Sequence, residues 1–75
     1  MERYKNLGGS SGVVAYEIAA DSIRVQFSDG SVYLYTYASA GTSNIEHMKQ
    51  LATRGQGLNS FINTNVRKAY ARKER

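Results

Sequence analysis

Ile23, Val25 and Phe27, and then Tyr33, Tyr35 and Tyr37, recur at every second position, and from Ile45 onward the apolar residues recur at every third or fourth. The first spacing belongs to strands with one buried face, the second to amphipathic helices. Val13-Val14-Ala15-Tyr16-Glu17-Ile18 predicts a first strand with Val14, Tyr16 and Ile18 on one face. Ile23-Arg24-Val25-Gln26-Phe27 predicts a second, with Ile23, Val25 and Phe27 inward and Arg24 and Gln26 outward. A third runs through Ser31-Val32-Tyr33-Leu34-Tyr35-Thr36-Tyr37, and its three tyrosines share a face.

The turn between the second and third strands decides what those tyrosines do. If Ser28-Asp29-Gly30 is a three-residue loop, Gly30 supplies the left-handed residue of a type I turn with a G1 bulge. Val25 then faces Tyr33, Ile23 faces Tyr35, and the rings join the apolar face. A two-residue Asp29-Gly30 turn slips the pairing by one and turns the tyrosines outward beside Arg24 and Gln26. The first register is favoured, because three rings hold far more apolar area than Val32 and Leu34. It makes the tyrosines a core floor; the second makes them a platform for stacking bases.

Further along, residues 38–42 read as a loop. Ser43-Asn44-Ile45-Glu46 has the spacing of a capping box, and the helix it opens carries Ile45, Met48, Leu51 and Ala52 on one stripe. That helix is expected to end near Arg54, with Gly55 as its left-handed terminator. A second helix is expected from Leu58 or Asn59, with Leu58, Phe61, Ile62, Val66, Ala69 and Tyr70 on its apolar half. The predicted fold is α+β: a three-stranded antiparallel meander followed by two helices on one face. Residues 1–9, polar and then glycine-rich, are expected to be a flexible tail, and residues 10–75 one domain.

Size and composition narrow the chemistry. A chain of 75 residues makes one domain with a modest core. It has no cysteine and one histidine, His47, which removes thiolate metal sites, a cysteine nucleophile and a two-histidine zinc site. Glu17, Asp21, Asp29 and Glu46 form no recognisable acid pair, and Asp21 and Asp29 suit turns. The expectation is a protein with no enzymatic activity, no catalytic residues, no cofactor and no metal. No apolar run approaches the ~20 residues of a membrane span, and the N-terminus lacks a signal-peptide pattern. The expected location is cytoplasmic.

The net charge is +4, and five of the ten basic residues, Arg67, Lys68, Arg72, Lys73 and Arg75, lie in the last nine positions. Such a run contacts phosphates, or it is a solvated helix end that complements the helix dipole. Gly55-Gln56-Gly57 leads into a helix N-terminus, where anions bind, but glycines there more often simply punctuate helices.

Several of these elements together resemble the KTSC domain, named for its place at the C-terminus of some lysyl-tRNA synthetases and also found as a stand-alone small bacterial protein. The residues carrying the resemblance are Ser10-Ser11, Tyr16, Ile23-x-Val25-x-Phe27, Asp29-Gly30-Ser31 and above all Tyr33-x-Tyr35. They continue with Gly55, Asn63, Val66-Arg67 and Tyr70, so that about residues 10–71 are covered. The chain departs from the family pattern after the tyrosine strand, where the family often has Val-Pro and this chain has Tyr37-Ala38-Ser39, and at the end of the first helix, where Ser-x-Gly becomes Thr53-Arg54-Gly55. The resemblance implies an RNA-binding accessory role and transfers no catalytic residue.

The leading expectation is therefore a small nucleic-acid-binding module, with RNA favoured, working through a basic second helix. Arg54, Arg67, Lys68, Arg72 and Lys73 are the candidate phosphate contacts, and Tyr33, Tyr35 and Tyr37 the candidate stacking residues. The alternative is a protein-interaction adaptor of the kind carried by phages or mobile elements.

Overall fold

The computed structural model describes residues 1–9 and 11–75. Ser10, which opens both the expected domain and the Ser10-Ser11 motif, lies outside the described residues. The fold is α+β, with one antiparallel sheet in the order β1-β2-β3-β4-β5. The strands are β1 (Glu2–Arg3), β2 (Val13–Ala19), β3 (Ser22–Phe27), β4 (Val32–Thr36) and β5 (Arg72–Lys73). Between β4 and β5 come α1 (Tyr37–Ala40), α2 (Thr42–Arg54) and α3 (Leu58–Phe61), the last running on as a π-helix over Ile62–Val66. The expected three strands and two helices become five strands because both ends of the chain add a short edge strand.

The central hairpin has the favoured register: Val25 pairs with Tyr33 and Ile23 with Tyr35. The Phe27 N–H donates to the Ser31 carbonyl at 2.9 Å, and the Gly30 N–H to the Phe27 carbonyl at 2.9 Å. Gly30 has φ 90, the left-handed value that a G1 bulge requires. Asp29 closes the turn by accepting from the Ser31 N–H at 2.9 Å.

β2 departs from simple alternation. A bulge between Val13 and Ala15 shifts the register, so that Val13 and Tyr16 are both buried while Val14 is exposed. Strict period two had placed Val14 inward; the extra residue reverses that.

The first nine residues are built into the domain in part. Glu2–Arg3 pairs with Ala15–Tyr16, and Tyr4 is only 3% exposed within the main core. The Tyr4 N–H donates to the Val14 carbonyl at 3.0 Å, and its hydroxyl accepts from the Leu58 N–H at 3.2 Å. Leu7 donates to the Gly55 carbonyl at 2.7 Å. A polar run with one aromatic residue reads as a tail by composition, yet that one ring fills a gap between sheet and helices.

The core lies between the inner sheet face and the helical layer. Val13, Tyr16, Ile23, Val25 and Tyr35 meet Ile45, Met48, Leu51 and Ala52 of α2, then Leu58, Ile62 and Val66. Each fully buried aliphatic side chain contributes about 1.5–3 kcal/mol relative to exposure. α2 ends as its sequence indicates, at Gly55 with φ 82 and its N–H on the Leu51 carbonyl. Its start differs from the reading. Gly41 is the N-cap, and no side chain caps the helix. The capping box lies earlier, where Thr36 Oγ1 accepts from the Ser39 N–H and Ser39 Oγ from the Thr36 N–H, both at 3.0 Å. Glu46 instead accepts from the Tyr37 hydroxyl at 2.5 Å and from Lys49 Nζ at 2.9 Å.

The second helix is much shorter than its apolar stripe implies. After the π-helix the chain turns, and Ala71 donates to the Leu34 carbonyl at 2.7 Å. Residues 72–73 then pair with Leu34 and Tyr33 along an otherwise open edge of β4. Satisfying that edge outweighs another turn of helix, so Arg72 and Lys73 are strand residues, not part of a basic helix.

Candidate functional site

Where the inner sheet face passes beyond the helices, an open groove of about 470 Å³ forms beside the β3–β4 turn. Phe27, Tyr33, Tyr35 and Tyr70 supply its aromatic wall, and Arg67 and Lys68 its positive charge. The rings interlock edge to face. Tyr33 lies 5.7 Å from Phe27 and 4.8 Å from Tyr70, and Tyr35 lies 6.4 Å from Tyr70, centroid to centroid. Lys73 Nζ sits over the Tyr33 ring at 5.8 Å. The strand alternation of β5 turns Lys73 to this face and Arg72 to the other.

Each element places its residues for a local reason. Period two along β4 puts Tyr33 and Tyr35 on the inner face. Tyr35, at 2% exposure, is the floor, and the half-buried Tyr33 is the rim. The wide π-turn, a frequent feature of functional sites, presents Asn63 to the groove, with Arg67 just after it. The turn back toward β4 then carries Tyr70 over the two tyrosines.

Cationic side chains outnumber acidic ones at the groove: Arg67 and Lys68 line it, Lys73 adjoins it, and Asp29 opposes them. Arg67, Lys68 and Lys73 form no ion pair among the described residues. The Tyr35 hydroxyl makes no hydrogen bond among them either, although its ring is buried. Burial first, then the neighbouring Tyr33 and Tyr70 phenols, push its pKa up to about 12. It is therefore a neutral hydroxyl at physiological pH, free to donate or accept. Asp29 also lines the groove, and its hydrogen bonds from Ser31 hold its carboxyl below the usual range.

Of the sequence-predicted residues, Tyr33, Tyr35, Arg67 and Lys68 come together here, with Lys73 beside them. Tyr37 does not join them. It lies four residues beyond Tyr33, about 13 Å of strand, and opens α1 with its hydroxyl on Glu46 and Lys49 Nζ 5.4 Å from its ring. Arg72 lies on the outer sheet face, where Glu74 accepts from it at 3.1 Å and from Arg24 Nε at 2.7 Å. Arg54 is an exposed residue at the end of α2, apart from the groove. The glycine loop offers no free helix amide at Leu58, since the Tyr4 hydroxyl takes it.

Phe27, Asp29, Asn63 and Tyr70 line the groove without having been singled out as site residues. Phe27 precedes the hairpin turn and Asp29 lies within it, close to Tyr33 in the chain, a proximity visible once the three-residue loop is fixed. Asn63 and Tyr70 depended on the π-turn and the chain reversal, which leave no periodic signal. Comparison with protein-family models, with curated proteins and with solved structures found no match.

Proposed function

We propose that the chain is a small, non-enzymatic nucleic-acid-binding module whose ligand is single-stranded RNA. The observation that carries this reading is the groove itself, in which aromatic rings adjoin three cations that form no ion pair among the described residues. Aromatic faces stack on bases while cations track phosphates, the combination by which single strands are held without reading sequence. Tyr33 and Tyr70 are the stacking rings, Arg67, Lys68 and Lys73 the phosphate contacts, and Tyr35 a hydrogen-bonding floor. The KTSC resemblance supports the same reading, because Asp29, Ser31, Tyr33, Tyr35, Asn63, Arg67 and Tyr70 among its motif residues all line this groove.

Titration with a fluorescently labelled single-stranded oligoribonucleotide and with tRNA at low salt tests the proposal. The chain has no tryptophan, so tyrosine emission also reports stacking directly. The expected result is saturable binding with tyrosine quenching that weakens steeply with salt. Absence of binding to either RNA at about 50 mM salt, where a phosphate-driven contact is strong, refutes it. A protein-adaptor role is favoured by a different observation, the exposed apolar residues Met1, Val14 and Ile18 along the β1–β2 side. That reading requires a protein partner retained at high salt and lost on changing Val14 and Ile18 to serine.

A further inference from the structure

Among the described residues, Asp29 is the one acidic residue lining the basic, aromatic groove. Its Oδ1 accepts from both the Ser31 N–H at 2.9 Å and the Ser31 hydroxyl at 2.6 Å. Its Oδ2 accepts no hydrogen bond among the described residues. The Ser31 bonds favour the ionised form, and the nearby charge of Lys73 adds to them. An ionised carboxylate accepts hydrogen bonds and never donates one. It repels phosphate, so on RNA its favourable partners are the ribose 2′-hydroxyl and donors on a base edge, and only the latter differ between bases.

Bases differ in what they offer such a group. Adenine, cytosine and guanine carry an exocyclic amino group, at N6, N4 and N2, whereas uracil, like thymine, has a carbonyl at position four. The N3–H of uracil is flanked by two carbonyl oxygens, and a carboxylate approaching that edge meets both. Resting on the RNA-binding reading above, we propose that Asp29 is a specificity-determining residue: its free oxygen selects bases that bear an amino group and disfavours uracil. Tyr33 and Tyr70, which meet edge to face at 4.8 Å, then offer a base a stacking surface on one side while Asp29, on the adjoining turn, tests its edge.

The experiment compares octacytidylate with octauridylate by fluorescence anisotropy. Both are single-stranded pyrimidine oligomers of equal charge, so the affinity ratio isolates the base edge from phosphate contacts. The wild-type chain is expected to favour octacytidylate by about fivefold, the lower end of what base-edge contacts provide. Asp29→Asn keeps an Oδ1 acceptor for Ser31 and therefore the turn, but replaces the free oxygen with an NH2 donor. Losing a negative charge strengthens binding of both oligomers, while their ratio is expected to fall to about one, the donor now suiting the uracil carbonyl. Equal wild-type affinities, or a ratio unchanged in Asp29→Asn, overturn the selectivity and leave RNA binding standing. Failure of both oligomers to bind the wild-type chain at low salt overturns the RNA-binding reading together with it.

Discussion

The salt dependence of binding locates the contact surface. Three cations border the groove: Arg67, Lys68 and Lys73. Each phosphate neutralised on a single strand contributes about −0.7 to the slope of log K against log salt, so three give about −2. Raising salt from 50 to 200 mM then weakens binding by about 20-fold. Lys68→Gln removes one contact; the slope becomes about −1.4 and the same salt step costs about sevenfold. Arg72→Gln is the comparison. Arg72 is nearby in sequence and carries the same unit charge, but it lies on the outer sheet face with Glu74 accepting from it at 3.1 Å. Its loss is expected to leave the slope unchanged. Anisotropy titrations at four or more salt concentrations, with circular dichroism to confirm folding, measure both slopes. If Lys68→Gln leaves the slope unaltered, or Arg72→Gln lowers it as much, the groove is not the contact surface and the basic C-terminal segment acts as a whole.

Three further outcomes follow from the geometry. Tyr4→Phe leaves the buried Leu58 amide without its acceptor, at an expected cost of about 1–2 kcal/mol, or roughly 5–15 °C in Tm; a thermal melt within 2 °C of wild type would show that the bond contributes nothing. Gly55→Ala puts a Cβ 2.5 Å from Lys5 Cβ at φ 82, whereas Gly30→Ala, at φ 90, meets nothing within 4 Å. Both carry the left-handed backbone cost of about 1–2 kcal/mol, so urea denaturation is expected to rank Gly55→Ala as clearly the more damaging, and equal losses would contradict the close approach of the N-terminal segment. The folded Tyr35 pKa of about 12 lies above the ordinary value of 10.0, so its contribution to stability is complete below pH 10 and is lost as pH rises toward 12. Tyr35→Phe is expected to remove the last phenolate absorbance step; a late step that survives belongs to another tyrosine.

What the sequence made legible is what local chemistry controls. The register of β3 against β4 follows from one turn, because Gly30 tolerates the left-handed conformation and the alternative would expose three rings. The stripe of α2 and its stop at Gly55 are equally local. The bulge at Val14 was not legible, since it needs only one residue out of phase and the surrounding pattern of Val13, Val14 and Ala15 fits either phase. The N-terminal and C-terminal edge strands were hidden for another reason. Two-residue strands carry no periodicity, and both exist because the long central strands leave backbone groups to be satisfied. The same reversal that makes β5 cut the second helix short, separated Lys73 from Arg72 onto opposite faces, and brought Tyr70 to the groove. Half of the candidate site was therefore visible as residue types on a strand, and the other half depended on a tertiary preference that no spacing records.

The choice between tyrosines as floor and tyrosines as platform dissolves in the geometry. A strand longer than the helical layer above it must leave cover at one end. Here Tyr35 lies within the core, while Tyr33 is half-buried where that layer ends at the π-turn. For packing alone, phenylalanine would serve at position 35 as well as tyrosine, since the Tyr35 hydroxyl gains no hydrogen bond among the described residues, and desolvating an unpaired polar group costs about 1–3 kcal/mol. The hydroxyl keeps access to the groove instead, so its hydrogen-bonding capacity is satisfied by water or by whatever displaces that water. An aromatic floor whose hydroxyl is unpaired among the described residues, an aromatic rim beneath Lys73 and two cations without an ion pair among them are a combination that stability does not require. Among the described residues, the groove leaves polar capacity open beside apolar surface, the arrangement that the proposed recognition of a flat, polar-edged ring requires.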